Sequence, residues 1–539
     1  MSAATASPAP PAPSIKPPWV VGLLWAWAVF LIGSLTWPFF LVFAPHSASH
    51  GAPHGAPLGA PEDSVWALAL RDMVVLPDQF LTHASLGFGD LPARNAPQDA
   101  FLAVLPFPAT WAVCVLMVAA ASGAAWAGYR LGSTPFSQAA AMTVAVWNPF
   151  VVERLLQGQW SLVIAAWLIP LIASARGPLQ LLAIWLASLT PTGSLLALAT
   201  ALTTARSRRW SAPVFALLTT LPWLVPALLN PGSGTASEAS ADVFGPRAEG
   251  FVGTLGALLG LGGMWNADAQ PPSRSIGFAI FGVLLCGLLA LAWRRVPRAF
   301  LVLAAIGFAV PLLSWTGALT WSIAHVPGFG LLRDSQKFVA LALPAFVSAA
   351  GALRPRLATA ALACALLQVP DAPLVLTQLE PQPITVPAVD HRGRDVMLYE
   401  RFYLQVRPDG HPIVDPATKA MNVVESGELL VDGTLTDPPA PRLAKAHEIV
   451  SQDLEANPLT PSTAAKDKLA ALEIGLVVLP GDPTPTVIDT GAPARRPEPI
   501  GLALLFLWLL LPIVPLALAA TRRLPRASRR GYQADRSER

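Results

Sequence analysis

Long apolar runs recur along almost the whole chain, and each of them needs an apolar solvent. They lie at about 19 to 43, 102 to 128, 138 to 152, 161 to 174, 178 to 190, 194 to 205, 211 to 229, 276 to 293, 299 to 316, 338 to 353, 357 to 369 and 500 to 520. Judged against the roughly 20 residues a helix needs to cross a bilayer, they give about twelve transmembrane helices. Several runs between 138 and 205 are shorter than that, so tilting, breaks at Pro170 or Pro191, or support inside a bundle is expected there. A chain of 539 residues that is 53% hydrophobic and 13% charged carries too much apolar surface for one soluble core. Its formal net charge of +3 supplies no dense basic face, which excludes a nucleic-acid partner. Cys114, Cys286 and Cys364 each sit inside an apolar run and read as small buried hydrophobes, not as disulfide partners or metal ligands.

Lys and Arg placement orients the bundle. With the N-terminus inside, alternation puts Arg130, Arg176, the cluster Arg206, Arg208 and Arg209, the cluster Arg294, Arg295 and Arg298, and the pair Arg354 and Arg356 in cytoplasmic turns. The basic tail 521 to 539 then also lies inside, and the connections 44 to 101, 153 to 160, 230 to 275, 317 to 337 and 370 to 499 lie outside. The expected fold is an all-α polytopic transmembrane bundle over 19 to 369, N-in and C-in, in a plasma membrane. Residues 1 to 18 form a disordered Ala/Pro-rich tail, and the run Trp19 to Phe43, too long for a signal-peptide core, is a retained first helix.

The segment 370 to 499 is large enough for a small extracytoplasmic domain, followed by a last helix at 500 to 520. DVMLYERFYLQV and GLVVLPG alternate as strands do, whereas RLAKAHEIVSQDLEA and TAAKDKLAALEIG have helical spacing, which makes the domain α+β. HSASHGAPHGAPLGAPE is a low-complexity linker. Its His46, His50 and His54 recur every four residues, but the interleaved Gly and Pro oppose the helix that a metal site would need. The Gly-rich run 251 to 265 is expected to lie in the interface or to re-enter beside Trp265.

Charged groups beside apolar spans are expensive, so function is sought there first. Three stretches qualify. In RDMVVLPDQFLTHASLGFGDLPARNAPQD, an acid such as Asp72 or Asp99, held ionised beside Arg71 or Arg94, is suited to accept a proton; the plainer reading is a set of solvated ion pairs. In WNPFVVERLLQGQW, the residues Glu153, Arg154, Gln157 and Gln159 exceed what a hairpin turn requires. Glu153 and Arg154 are adjacent, which favours two separate partners, although an interfacial turn with snorkelling side chains explains them equally. In HVPGFGLLRDSQKFVALALP, Arg333 and Lys337 are four apart. A helix starting near Asp334 would let them converge on a lipid-linked phosphate, or merely anchor to headgroups.

With its acidic first loop, many short helices, C-terminal external domain and the PG, LR and KF elements at Pro327, Gly328, Leu332, Arg333, Lys337 and Phe338, the chain resembles membrane glycosyltransferases of the GT-C superfamily. It is most similar to actinobacterial multi-pass proteins related to the arabinofuranosyltransferases of the cell envelope. The resemblance covers the architecture of most of the chain but only three short stretches of residues. It implies an inverting transfer of a sugar from a polyprenyl phosphate donor to an extracytoplasmic glycan or glycolipid acceptor. It also implies a carboxylate of the first external loop as base, matched here by Asp72 and in second place by Asp99. Arg333, Lys337, Arg71 and Arg94 would hold donor phosphate, and Glu153, Arg154, Gln157, Gln159 and Asp334 would hold substrate. In place of a D-x-D sequence this chain has adjacent Glu62 and Asp63. Metal dependence varies in the superfamily and the sequence indicates no metal. The competing expectations are a non-catalytic scaffold of envelope assembly and a transporter or flippase of a lipid-linked precursor; the latter would need polar groups at the bilayer midplane, where this sequence has almost none.

Overall fold

The computed structural model describes residues 17–44, 64–205, 210–230, 237–326, 328–431, 433–456, 461–481 and 485–523. His46, His50, His54, Glu62, Asp63, Arg206, Arg208, Arg209, Pro327 and the tail from 524 onward lie outside the described residues.

Among the described residues, seven helices or helical runs, some of them interrupted, are long and apolar enough to cross a membrane: Pro18–Phe43, Ala109–Leu131, Pro135–Leu156, Ser211–Leu229, Arg298–Trp315, Pro355–Leu379 and Pro499–Thr521. Trp160–Ser174, Pro178–Ala187 and Ile280–Ala290 are apolar but shorter. The runs that fall short in sequence are carried by packing. Trp160–Ser174 is buried along nearly its whole length, and its Trp167 indole donates to the Val146 carbonyl at 3.1 Å. That helix passes through Pro170 without ending, while Pro191 opens the helix Pro191–Thr204, where a missing N–H costs nothing.

Ala109–Leu131 fixes the dimension of the bundle. Its 23 residues rise about 34 Å at 1.5 Å each, close to the roughly 30 Å of a hydrocarbon core. Pro18–Phe40 runs antiparallel to it: Trp25 stacks on Trp126 and Tyr129 at one end, and Phe43 meets Trp111 at the other. Small residues bring the backbones together. A Cβ at Gly128 would stand 2.6 Å from the Met142 nitrogen, so Ala109–Leu131 and Pro135–Val146 touch main chain to main chain there. Exposed tryptophans mark both ends of the bundle, with Trp19, Trp210 and Trp293 at one and Trp111, Trp315 and Trp321 at the other. Indoles favour the two lipid–water boundaries in this way.

The long connections meet at the second of these ends. Strand Ser64–Leu70 pairs antiparallel with Met73–Val75 on one side and with Gln382–Thr385 on the other. The first long connection and the C-terminal region therefore share a sheet. A second sheet sets Val396–Leu398 parallel, and Thr486–Asp489 antiparallel, to Leu476–Leu479. Helices Pro441–Ala456 and Thr463–Ala471 cover it, burying Met397, Ala446, Val450, Leu469 and Val477. The stretch 251 to 265 is a closed excursion around the short helix Gly253–Leu259. The Arg247 N–H reaches the Gly263 carbonyl at 3.0 Å, Leu258, Leu261 and Met264 are buried, and Phe251 and Leu255 face outward.

Candidate functional site

Strands Ser64–Leu70 and Met73–Val75 are joined by Arg71 and Asp72 alone, with Leu70 opposite Met73 and Arg71 at φ 48. A two-residue hairpin loop requires such left-handed backbone. The turn rests on the end of helix Pro149–Leu156, where the Asp72 N–H donates to the Gln157 carbonyl at 3.1 Å. Gly158, at φ +83, lies directly beneath; a Cβ there would stand 2.2 Å from the Leu70 carbonyl oxygen. Only glycine lets the two backbones approach so closely.

Arg154, on the same helix, has no exposed surface. Its Nη2 donates to Asp334 Oδ1 at 2.8 Å, its Nη1 to Gln159 Oε1 at 2.8 Å and its Nε to Gln336 Oε1 at 3.2 Å. Gln159 turns its amide nitrogen the other way and donates to Asp72 Oδ2 at 2.9 Å. A continuous polar line thus runs from Asp72 through Gln159 and Arg154 to Asp334. Solvent reaches Asp72, yet the surrounding protein still pushes its carboxyl above the ordinary carboxylate range, against the hydrogen bonds from Gln159 and Gln157. At Asp334 burial also pushes upward, but the charge and hydrogen bonds of Arg154, aided by Lys337 and Arg333, win and hold its carboxyl below the usual range.

Glu153 points elsewhere. It accepts from the Met264 N–H at 3.2 Å and pairs with Arg274, which also binds Glu249 through Nε at 2.8 Å. Glu153 and Arg154 therefore have separate partners, and Glu153 ties the bundle to the 249–274 segment instead of joining the polar line to Asp72.

The phosphate-binding residues expected from sequence are only partly gathered. A 3-10 helix, Ser335–Ala342, does begin after Asp334. With three residues per turn it does not stack residues four apart, and Arg333 precedes it. Arg333 binds Asp437 Oδ1 at 2.6 Å and lies over the Phe244 ring, and Arg94 reaches the same Asp437 at 3.4 Å. Lys337 makes no hydrogen bond or ion pair with the described residues; it stands in the field of Asp334, Arg154, Arg333 and Arg94, and burial pulls its ammonium down to about 8. Arg71 is committed to carbonyls, donating to Leu156 at 2.5 Å and Asp268 at 2.7 Å. Asp99 is buried and held by the Lys419 ammonium at 2.5 Å and the Gln98 amide at 3.0 Å. Asp72 is thus the accessible acid of the pair, and Asp99 a structural anchor between the first long connection and the C-terminal region.

Sequence reasoning gave Gln336 no role and missed Asp437 and Tyr403. Gln336 is fully buried, and Tyr403 is close enough to sense the charges of Arg94 and Asp72. Asp437 and Tyr403 carry no local signal, because their role depends on the C-terminal region folding back over the bundle; Gln336 sat beside residues already singled out. A separate clasp joins His83 and Asp90 to Asp395, Glu425, Arg442 and Arg495, with Arg442 bridging Asp90 at 3.2 Å and Asp395 at 2.6 Å. Among the described residues no three His, Cys, Asp or Glu side chains are grouped to hold a metal ion.

Comparison with protein-family models, curated proteins and solved structures found no match.

Proposed function

We propose that this membrane protein is a glycosyltransferase that moves a sugar from a polyprenyl phosphate to an acceptor on the outer side of a plasma membrane. The observation that carries this reading is one buried network built on Arg154, with an accessible carboxylate, Asp72, at one end and an uncommitted ammonium, Lys337, in the field of Asp334 at the other. Asp72 takes the proton of the acceptor hydroxyl as that oxygen attacks the anomeric carbon. The bond from that carbon to the phosphate oxygen breaks, and Lys337 stabilises the charge that grows on the departing phosphate. Arg333 and Arg94, although paired with Asp437, add positive potential on the same side. Gln159 fixes the Asp72 carboxylate, and its orientation is fixed in turn by Arg154. A general base of this kind contributes about 10² to 10⁴ in rate. The reading places the long connections and the C-terminal α+β region outside and the basic turns inside, as Lys and Arg bias requires.

The test is sugar transfer from a panel of radiolabelled polyprenyl phosphate donors in membranes carrying the wild type, Asp72→Asn, Asp99→Asn or Lys337→Met. Transfer that is lost with Asp72→Asn, with donor binding retained, supports the assignment. Transfer by no donor, in protein that still binds lipid-linked sugar, removes the transferase reading in favour of a scaffold or a carrier of lipid-linked precursors.

A further inference from the structure

Strand Leu404–Val406 pairs with Pro412–Val414, and its approach carries an apolar side chain at every second position: Phe402, Leu404 and Val406 are 79%, 38% and 71% exposed. The alternate residue Tyr403 packs inward against the cluster of Ala69, Val74 and Ile413. A strand that turns alternate side chains outward presents a ridge, and this ridge is apolar where solvent would select polar residues. The hairpin is pinned beside the bundle. Arg407, next to Val406, is almost fully buried and donates through Nη1 to the carbonyls of Ala69, at 2.5 Å, and Gln378, at 3.0 Å. Gln378 is the penultimate residue of the apolar helical run Pro355–Leu379. That end of the run already faces outward through Leu374, 74% exposed, and is tied to the first helix by the Trp37 indole, which donates to the Pro373 carbonyl at 3.2 Å. The Arg407 bonds therefore set the ridge beside the end of a run that is long and apolar enough to cross a membrane.

We propose that Phe402, Leu404 and Val406 form a docking ridge that inserts into the lipid–water boundary and seats the C-terminal region on the bilayer. The partner is the lipid surface itself. The ridge carries no cluster of cations, since Arg407 is spent on the carbonyls and on Asp409, so recognition is by apolar insertion and not by anionic headgroups. The inference depends on the membrane placement of the helices and is independent of glycosyl transfer.

The test uses the full chain in nanodiscs, with Cys114, Cys286 and Cys364 replaced by Ala and one fluorophore attached through Val406→Cys, Phe402→Cys or the control Arg392→Cys, whose parent side chain is 77% exposed. Gel filtration shows that each labelled protein is folded. Lipid carrying a shallow nitroxide should quench the labels at 406 and 402 several-fold more than the label at 392, and aqueous iodide should show the reverse order, equally in zwitterionic and anionic bilayers. Iodide quenching at 406 and 402 equal to that at 392 would overturn the proposal. So would protection from both quenchers together with energy transfer between differently labelled copies, which would make the occupant a second copy of this chain.

Discussion

Arg154 and Asp334, 180 residues apart, form a buried ion pair in which Arg154 Nη2 lies 2.8 Å from Asp334 Oδ1, and it joins the helix Pro149–Leu156 to the start of Ser335–Ala342. Both charges are out of water, so the pair is held by the additional bonds to Gln159 and Gln336 as much as by attraction. Removing one partner strands the other. Arg154→Met is expected to lower stability by about 3–5 kcal/mol. Arg154→Met with Asp334→Leu should recover much of that loss, because no unpaired charge then remains. Thermal unfolding of the purified protein in detergent measures both. A double variant no more stable than the single one would mean that packing, not the orphaned charge, sets the cost.

Gly158 is expected to control Asp72 without touching substrate. At φ +83, and with a Cβ site 2.2 Å from the Leu70 oxygen, Gly158→Ala must lift the Arg71–Asp72 turn or move the end of its own helix. Backbone strain of this kind costs about 1–3 kcal/mol. Sugar transfer should fall at least tenfold with donor binding little changed. If activity survives while stability drops by that amount, the turn is not positioned by Gly158.

Lys337 gives a signature in pH. Burial lowers its ammonium to about 8, whereas an unfolded chain keeps the lysine charged to about 10.4. Between those values the unfolded state binds more protons, so this group's contribution to stability rises with pH across that window. Capture of a phosphate donor runs in the opposite sense and weakens as pH climbs through about 8. Lys337→Met should abolish the alkaline limb of donor binding and stabilise the fold at neutral pH; equilibrium binding of a polyprenyl phosphate between pH 6 and 10 tests the first, thermal unfolding at pH 7 the second.

How much of this was legible in the sequence follows from how local each interaction is. Apolar runs identified the helices, and strand and helix periodicities found Val396–Leu398, Leu404–Val406, Pro441–Ala456 and Thr463–Ala471, because those signals are written in consecutive residues. Hydropathy could not tell Trp160–Ser174, buried inside the bundle, from a lipid-facing span, since both read as continuous apolar sequence. The adjacency of Glu153 and Arg154 called for separate partners, and they have them, but nothing in sequence named Arg274 or Asp334. The sheet between Ser64–Leu70 and Gln382–Thr385 was equally invisible, because a strand's partner is chosen by the tertiary fold. Nor did anything in sequence name Asp437, about a hundred residues further on, as the partner of Arg333.

Glu425 is expected to make the seating of the C-terminal region pH-dependent. It lines the clasp with Asp90, Asp395, His83 and Arg495, and its backbone N–H donates to Asp90 Oδ2 at 3.3 Å. Burial first, and then the charge of Asp90, push its carboxyl up to about 7, with Lys419 and Arg94 opposing and Asp99 adding to the rise. The folded carboxyl therefore binds a proton more readily than the unfolded one, whose value is about 4.3. Its contribution to stability is fully present below about 4.3 and is lost as pH rises through about 7. His83, held below its ordinary value by burial and by Arg495, has the opposite slope, its folded form losing its proton before the unfolded one. Glu425→Gln should keep the clasp closed above pH 7 and flatten the falling limb, and His83→Gln should flatten the rising one. Hydrogen exchange at the amides of residues 80 to 90, followed from pH 5 to 8.5 with correction for the intrinsic rate, separates the two. Equal protection in the wild type and Glu425→Gln at every pH would show that the carboxyl does not titrate with the clasp.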